Sequence, residues 1–189
     1  DSAGNYLTQW GTWGTGNNQF ASPNAGLVID SADNIYVPDN QINYEPDILQ
    51  QNTRIQVFNT SGVYQRTIGS FGLEDGALVD GKFHDIGGIA FDLDGKLHVS
   101  ETDSNNIRIQ VFNTDGTYSH KYGVKGSGVE EYTEPRGLAL NPISGNMSVV
   151  DTLNHRVQLI PSGTRIYNLI SSADVLSTTD SGSLVYRYY

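Results

Sequence analysis

Short runs of β-branched and aromatic residues, cut by turn residues, fill this chain, and their order repeats. GLVID (from Gly26), GIAFD (from Gly88) and GLALN (from Gly137) each lead through a Ser, Asp, Gly or Asn turn into IYV (from Ile35), LHV (from Leu97) and MSV (from Met147). RIQVFN (from Arg54), RIQVFN (from Arg108) and RVQLIP (from Arg156) come next. A Gly turn then leads into VYQRTIG (from Val63), TYSHKYG (from Thr117) and TRIYNLI (from Thr164). Apolar runs with turn signals every roughly 8 to 12 residues predict antiparallel strands, four to a unit, with the unit recurring about every fifty residues.

A single four-stranded sheet cannot bury both its faces, so the units are expected to pack radially, as the blades of an all-β propeller do. The expected single domain spans 1–189, with complete blades at 19–69, 81–123 and 131–170. The ends look like parts of further blades. Residues 1–11 align with a last strand, Gly4 and Tyr6 matching Gly62 and Tyr64, and Trp10-Gly11 matching Ile68-Gly69. Residues 174–189 resemble first strands, with Asp180 at the place of Asp30 and Leu184 at that of Ile35. Propellers usually need at least four blades to close. Either the chain closes on itself through these ends, or copies pair through them head to tail, or the chain is a piece of a longer protein. Tyr6, Trp10, Leu184, Tyr186, Tyr188 and Tyr189 are the candidate assembly residues, because alternating large side chains suit an edge strand that must find a partner.

The third copy reads VVDTLNHRVQLI, and its Asp151, Asn154, His155 and Arg156 resemble the Asp-x-x-Asn-His-Arg core of the NHL repeat. The second copy has Glu101, Asn106 and Arg108 with Ile107 at the His position, and two extra residues. The first has Asp39, Asn52 and Arg54 around an insertion of about ten residues. The resemblance implies an NHL-type β-propeller; a fold of this kind does not by itself imply an activity.

Composition narrows the partners. The net charge is −10, with 11 Lys and Arg against 21 Asp and Glu, so no basic footprint for nucleic acid is visible. There are no cysteines, hence neither disulfides nor thiolate metal sites. No stretch approaches the roughly 18 apolar residues of a membrane span. The start at DSAGNY, without Met or an apolar leader, fits a mature product or a domain cut from a longer chain. Sequons at Asn59 and Asn146 are candidate glycosylation sites and, with the wealth of Asn, Thr, Ser and Tyr, point outside the cell or to its surface.

Candidate chemistry is sparse. Asp92-Leu93-Asp94-Gly95 has the oxygen-rich look of a calcium loop, but it occupies a hairpin position and lacks the later ligands. A metal-dependent lyase on such a scaffold needs several His converging on the channel; His84, His98, His120 and His155 take different positions from blade to blade. His155 is expected to pack and hydrogen-bond within its motif. Asp39, Glu101 and Asp151 follow the second strand in every blade, so they form either an acidic ring at one face or braces for Arg54, Arg108 and Arg156. The insertion from Asn40 to Asn52 brings Tyr44, Glu45 and Asp47 as candidate binding residues on a long loop. Trp10 and Trp13 suit interblade packing, or stacking on sugar.

No catalytic residue, metal or cofactor is assigned. The expected function is that of a non-enzymatic extracellular structural or interaction module that assembles with copies of itself through its terminal strands, as an oligomer or filament. A glycan- or peptide-binding propeller from a larger secreted protein is the alternative, and a metal-dependent lyase a third.

Overall fold

The computed structural model describes residues 4–40, 52–74, 77–104 and 107–161. A short parallel pair, β1 (Thr12–Trp13) and β2 (Gln19–Phe20), precedes the first sheet. That sheet runs in order through β3 (Val28–Ile29), β4 (Ile35–Asp39), β5 (Arg54–Phe58) and β6 (Tyr64–Ile68), each antiparallel to the next. A small hairpin of β7 (Leu73–Glu74) and β8 (Ala77–Leu78) follows. The second sheet has β9 (Ile86–Phe91), β10 (Leu97–Glu101), β11 (Arg108–Phe112) and β12 (Tyr118–Tyr122) in the same antiparallel order. A second parallel pair, β13 (Val124–Lys125) and β14 (Glu131–Tyr132), leads to β15 (Pro135–Leu140), β16 (Met147–Asp151) and β17 (Arg156–Ile160) of the third sheet. The fourth strand expected from Thr164 and the strands expected in 174–189 lie outside the described residues.

Each sheet is a meander, its neighbouring strands following one another in sequence. Asp30 and Asp92 open two of the turns: the Asp30 carboxylate accepts from the backbone N–H of Ala32 and Asn34, and that of Asp92 from Asp94 and Lys96. These side chains mimic a turn's own backbone, and Gly95 supplies the left-handed residue that follows. The Asp92–Gly95 segment is therefore fully used as a turn.

Two apolar layers hold the three sheets together. The first joins Tyr36, Ile55, Val57 and Ile68 of the first sheet to Phe83, Ile89, Leu97, Val99 and Phe112 of the second blade. The second joins Ala90, Ile109, Val111 and Tyr122 to Tyr132, Met147, Val149 and Ile160 of the third. Side chains alternate along a strand, so β11 spends Ile109 and Val111 on the third blade and Phe112 on the first. The inner strands approach closest at Gly88, where a Cβ would overlap the Arg136 carbonyl.

Residues 4–11 form no strand, although 1–11 was expected as one. Trp10 nonetheless lies where the alignment puts it. Its indole covers Gly62 in the first blade, as Ile68 covers Gly116 in the second.

Candidate functional site

The repeated acidic residues are buried at the ends of β4, β10 and β16 and paired, so they form no exposed ring. Asp39 accepts from the backbone N–H of Ala21 and Ser22 at 2.8 and 2.9 Å, with Arg54 3.6 Å from its other oxygen. Glu101 accepts from the His84 N–H at 3.1 Å, Arg108 Nε at 2.6 Å and Gln110 Nε2 at 2.8 Å. Asp151 accepts from the Thr133 N–H, Asn154 Nδ2, Arg156 Nε and Gln158 Nε2. Burial pushes the Glu101 carboxyl above its ordinary range, and Arg108 does not fully offset it. At Asp151 burial also pushes upward, but the four donors outweigh it and hold the group below its usual value.

The Arg and Gln of the third strands also clasp the segment that enters their own blade. Arg54 and Arg108 each donate to two backbone carbonyls there, Gly16 and Gln19, and Val79 and Lys82, and Arg156 donates to three, Ser127, Gly128 and Glu131. Gln56, Gln110 and Gln158 each donate to one carbonyl of that segment and accept from one of its N–H groups. The glutamines were missed in the sequence, although the recurring Arg-x-Gln was the signal for them.

Other sequence candidates scatter. His98 bridges Tyr122 and Asp92, His84 sits 3.0 Å from Asp103, and His155 is an exposed left-handed residue ending a single 3-10 turn rather than a packed one. Among the described residues no three His, Cys, Asp or Glu side chains are grouped to hold a metal. Trp13 is 83% exposed, so of the two tryptophans only Trp10 packs on the blade, against Phe58. Tyr6 is exposed. Asn59 organises a turn, its side chain accepting from the N–H of Ser61 and Val63, and Asn146 closes the hairpin before β16. Tyr44, Glu45 and Asp47, and Leu184, Tyr186, Tyr188 and Tyr189, lie outside the described residues. The roots of their loop do not: Asn40 bonds the backbone of Ile86 in both directions and Thr53 donates to the His84 carbonyl, beside the His84–Asp103 pair.

The end blades differ from the middle one in a way the repeats make measurable. Ile55 and Val57 on β5, and Ile109 and Val111 on β11, are 0% exposed because the next blade covers them. Their equivalents on β17, Val157 and Leu159, are 60% and 66% exposed, and Val150 beside them is also exposed. The first blade is open on its opposite side. Leu27 is 57% exposed where its equivalent in the second blade, Ile89, is buried; Ile29 is 55% exposed where Phe91 is half-buried, and Ile35 and Val37 are half-buried where Leu97 and Val99 are fully covered.

The family DUF5128, described as a 6-bladed beta-propeller, matches residues 81–158, about two fifths of the chain. The chain is a β-propeller. Among curated proteins none matches its sequence. Solved structures to which this propeller is similar include a catalytically inactive virginiamycin B lyase from Staphylococcus aureus with quinupristin, at 16% identity and TM-score 0.48, covering 76% of this chain and 41% of that one. Another is a gluconolactonase from Xanthomonas campestris, at 18% identity and TM-score 0.45, covering 65% and 39%. The chain thus spans about two fifths of the length of these structures. They are enzymes, which corrects the expectation of a non-enzymatic protein; at this likeness no reaction passes to this chain. No helix among the described residues is long and apolar enough to cross a membrane.

Proposed function

We propose that this propeller is an interaction module that assembles with copies of itself through its two open end blades, outside the cell. The exposure of Val157 and Leu159, at positions fully covered in the other two blades, carries the reading. Transfer of such side chains out of water is worth about 1.5–3 kcal/mol each when complete, and large apolar patches of this kind mark interaction surfaces. Support therefore comes from blade faces; the assembly strands expected at the C-terminus fall outside the described residues. The repeat is of NHL type in this reading, supported by the contacts among Asp151, Asn154 and Arg156.

The test is the solution mass of the 20.6 kDa chain by light scattering across a concentration series. Oligomers or polymers are expected, and a species that stays at one chain at every concentration overturns the reading. A glycan- or peptide-binding role is the second reading. It is favoured by the polar rim of His84, Asp85, Thr102 and Asp103 beside the roots of the long loop, where Thr102 donates to Asp85 at 2.5 Å. Saturable binding of a glycan or peptide lost in a His84→Ala variant is its expected signature.

A further inference from the structure

The three acid-to-arginine braces differ in one respect. In the third blade, Asp151 Oδ2 accepts from Arg156 Nε at 2.8 Å, Asn154 Nδ2 at 2.9 Å and Gln158 Nε2 at 3.1 Å. In the second, Glu101 Oε2 accepts from Arg108 Nε at 2.6 Å and Gln110 Nε2 at 2.8 Å. The first blade has the same donors, but none of them bonds its acid. Arg54 spends Nη2 on the Gly16 and Gln19 carbonyls, Gln56 donates to the Gln19 carbonyl and Asn52 to that of Thr15. Asp39 turns Oδ1 to the N–H groups of Ala21 and Ser22, while Oδ2 stands 3.6 Å from Arg54 Nη2, beyond a hydrogen bond. Among the described residues neither Asp39 Oδ2 nor Arg54 Nε has a hydrogen-bond partner, although Asp39 is 0% and Arg54 only 7% exposed.

A buried acceptor and a buried donor left in this way lose their hydration without return. One group answers both needs: it accepts from Arg54 Nε and donates to Asp39 Oδ2. A hydroxyl does so, whereas a cation is repelled by the guanidinium and an anion by the carboxylate. We infer that the first brace binds one water molecule, which bridges Arg54 to Asp39 and completes with solvent what the other two braces complete with protein atoms alone. Two charged partners suffice to hold a buried water, and such a bridge is nearly as favourable as a direct hydrogen bond. Asp39 is the last residue of β4 and Arg54 the first of β5, so the bridge stands where the insertion from Asn40 to Asn52 is rooted in the sheet. In the third blade the same two strand ends are joined by the short turn Thr152–Asn154, which sets Asn154 on the acid. The insertion thus explains why only the first brace takes a water, and the site is independent of any assembly.

The experiment uses the whole chain and an Asp39→Glu variant, which gives the first blade the acid of the second. A high-resolution crystal structure of the parent is expected to show an ordered water within about 3.2 Å of both Arg54 Nε and Asp39 Oδ2. In solution, the Arg54 Nε–H resonance is expected to show a cross-relaxation peak to a long-lived water. Asp39→Glu is expected to bond Arg54 Nε directly, as Glu101 bonds Arg108, and to lose that peak. A direct Arg54 Nε–Asp39 hydrogen bond in the parent, a hydroxyl of the chain itself between the two, or an Nε–H resonance with no water peak overturns the inference. So does a water peak that persists once the longer acid is in place. Should Asp39→Glu fail to fold, the parent's crystal structure and its Nε–H peak decide by themselves.

Discussion

Glu101 and Asp151 hold the same place in adjacent blades, yet their carboxyl groups shift in opposite directions. Asp151 lies below its ordinary value, so the folded state binds this proton less well than the unfolded chain. Its contribution to stability is present above the unfolded carboxylate value of about 4 and is lost as pH falls through the lower folded one. Asp151→Asn is therefore expected to lower the urea midpoint clearly at pH 7 and by progressively less as the pH falls through the range of the folded carboxyl. Glu101 lies above its ordinary value, so its ionisation works against the fold as pH rises through that range. A neutral isostere that still accepts from Arg108 Nε should be tolerated, whereas Glu101→Ala leaves the buried Arg108, among the described residues, with only Asp80 as ionic partner. We expect Glu101→Ala to cost about 3–5 kcal/mol and Glu101→Gln less than half of that, both read from denaturant unfolding at pH 7. If the two variants unfold together, the negative charge of Glu101, and not the acceptor that Gln retains, is what holds this brace.

Elements are joined by connectors whose glycines accept an aromatic ring from further along the chain. Gly123 has φ +78°, and a Cβ there would stand 2.6 Å from Tyr132 Cε2. Gly95 has nearly the same φ, +76°, but its nearest neighbour, Thr114 Cγ2, would be 3.6 Å away. Both alanine variants carry the left-handed backbone cost of about 1–2 kcal/mol, and only Gly123→Ala must also displace a fully buried ring. A melting temperature several degrees lower for Gly123→Ala than for Gly95→Ala is the expected result of differential scanning calorimetry. The strands around these connectors were legible in the sequence because β-branched runs and turn residues repeat in register, and the acid-to-Arg brace was legible because Asp39, Glu101 and Asp151 recur before an Arg. The connectors were not. Gly11 to Phe20 and Gly123 to Tyr132 do share a separation of nine residues and a Gly-x-x-Gly-x-Gly start, but Gly69 to Phe83 spans fourteen without that start, so no single period runs through all three. His155 was misjudged for a related reason: its place is fixed by a backbone turn at φ 55° and not by what its ring could bond.

At the scale of the molecule, apolar residues at equivalent positions stand in two environments, and that separates the fold's own stability from that of assembly. Ile109 is fully buried between the second and third blades, so Ile109→Ala is expected to cost about 2–5 kcal/mol at any protein concentration. Val157, its equivalent on the third blade, is covered only if another blade arrives. Val157→Ala should therefore change stability by no more than about 0.5 kcal/mol in dilute solution, as at other exposed sites, and by progressively more as concentration rises and the open face is occupied. Mass action gives the companion signature: the melting temperature of the parent should climb with protein concentration, because whatever binds only the folded chain stabilises it. A melting temperature that is independent of concentration, with Val157→Ala neutral throughout, would mean that the apolar end of the third blade takes no partner from a second copy.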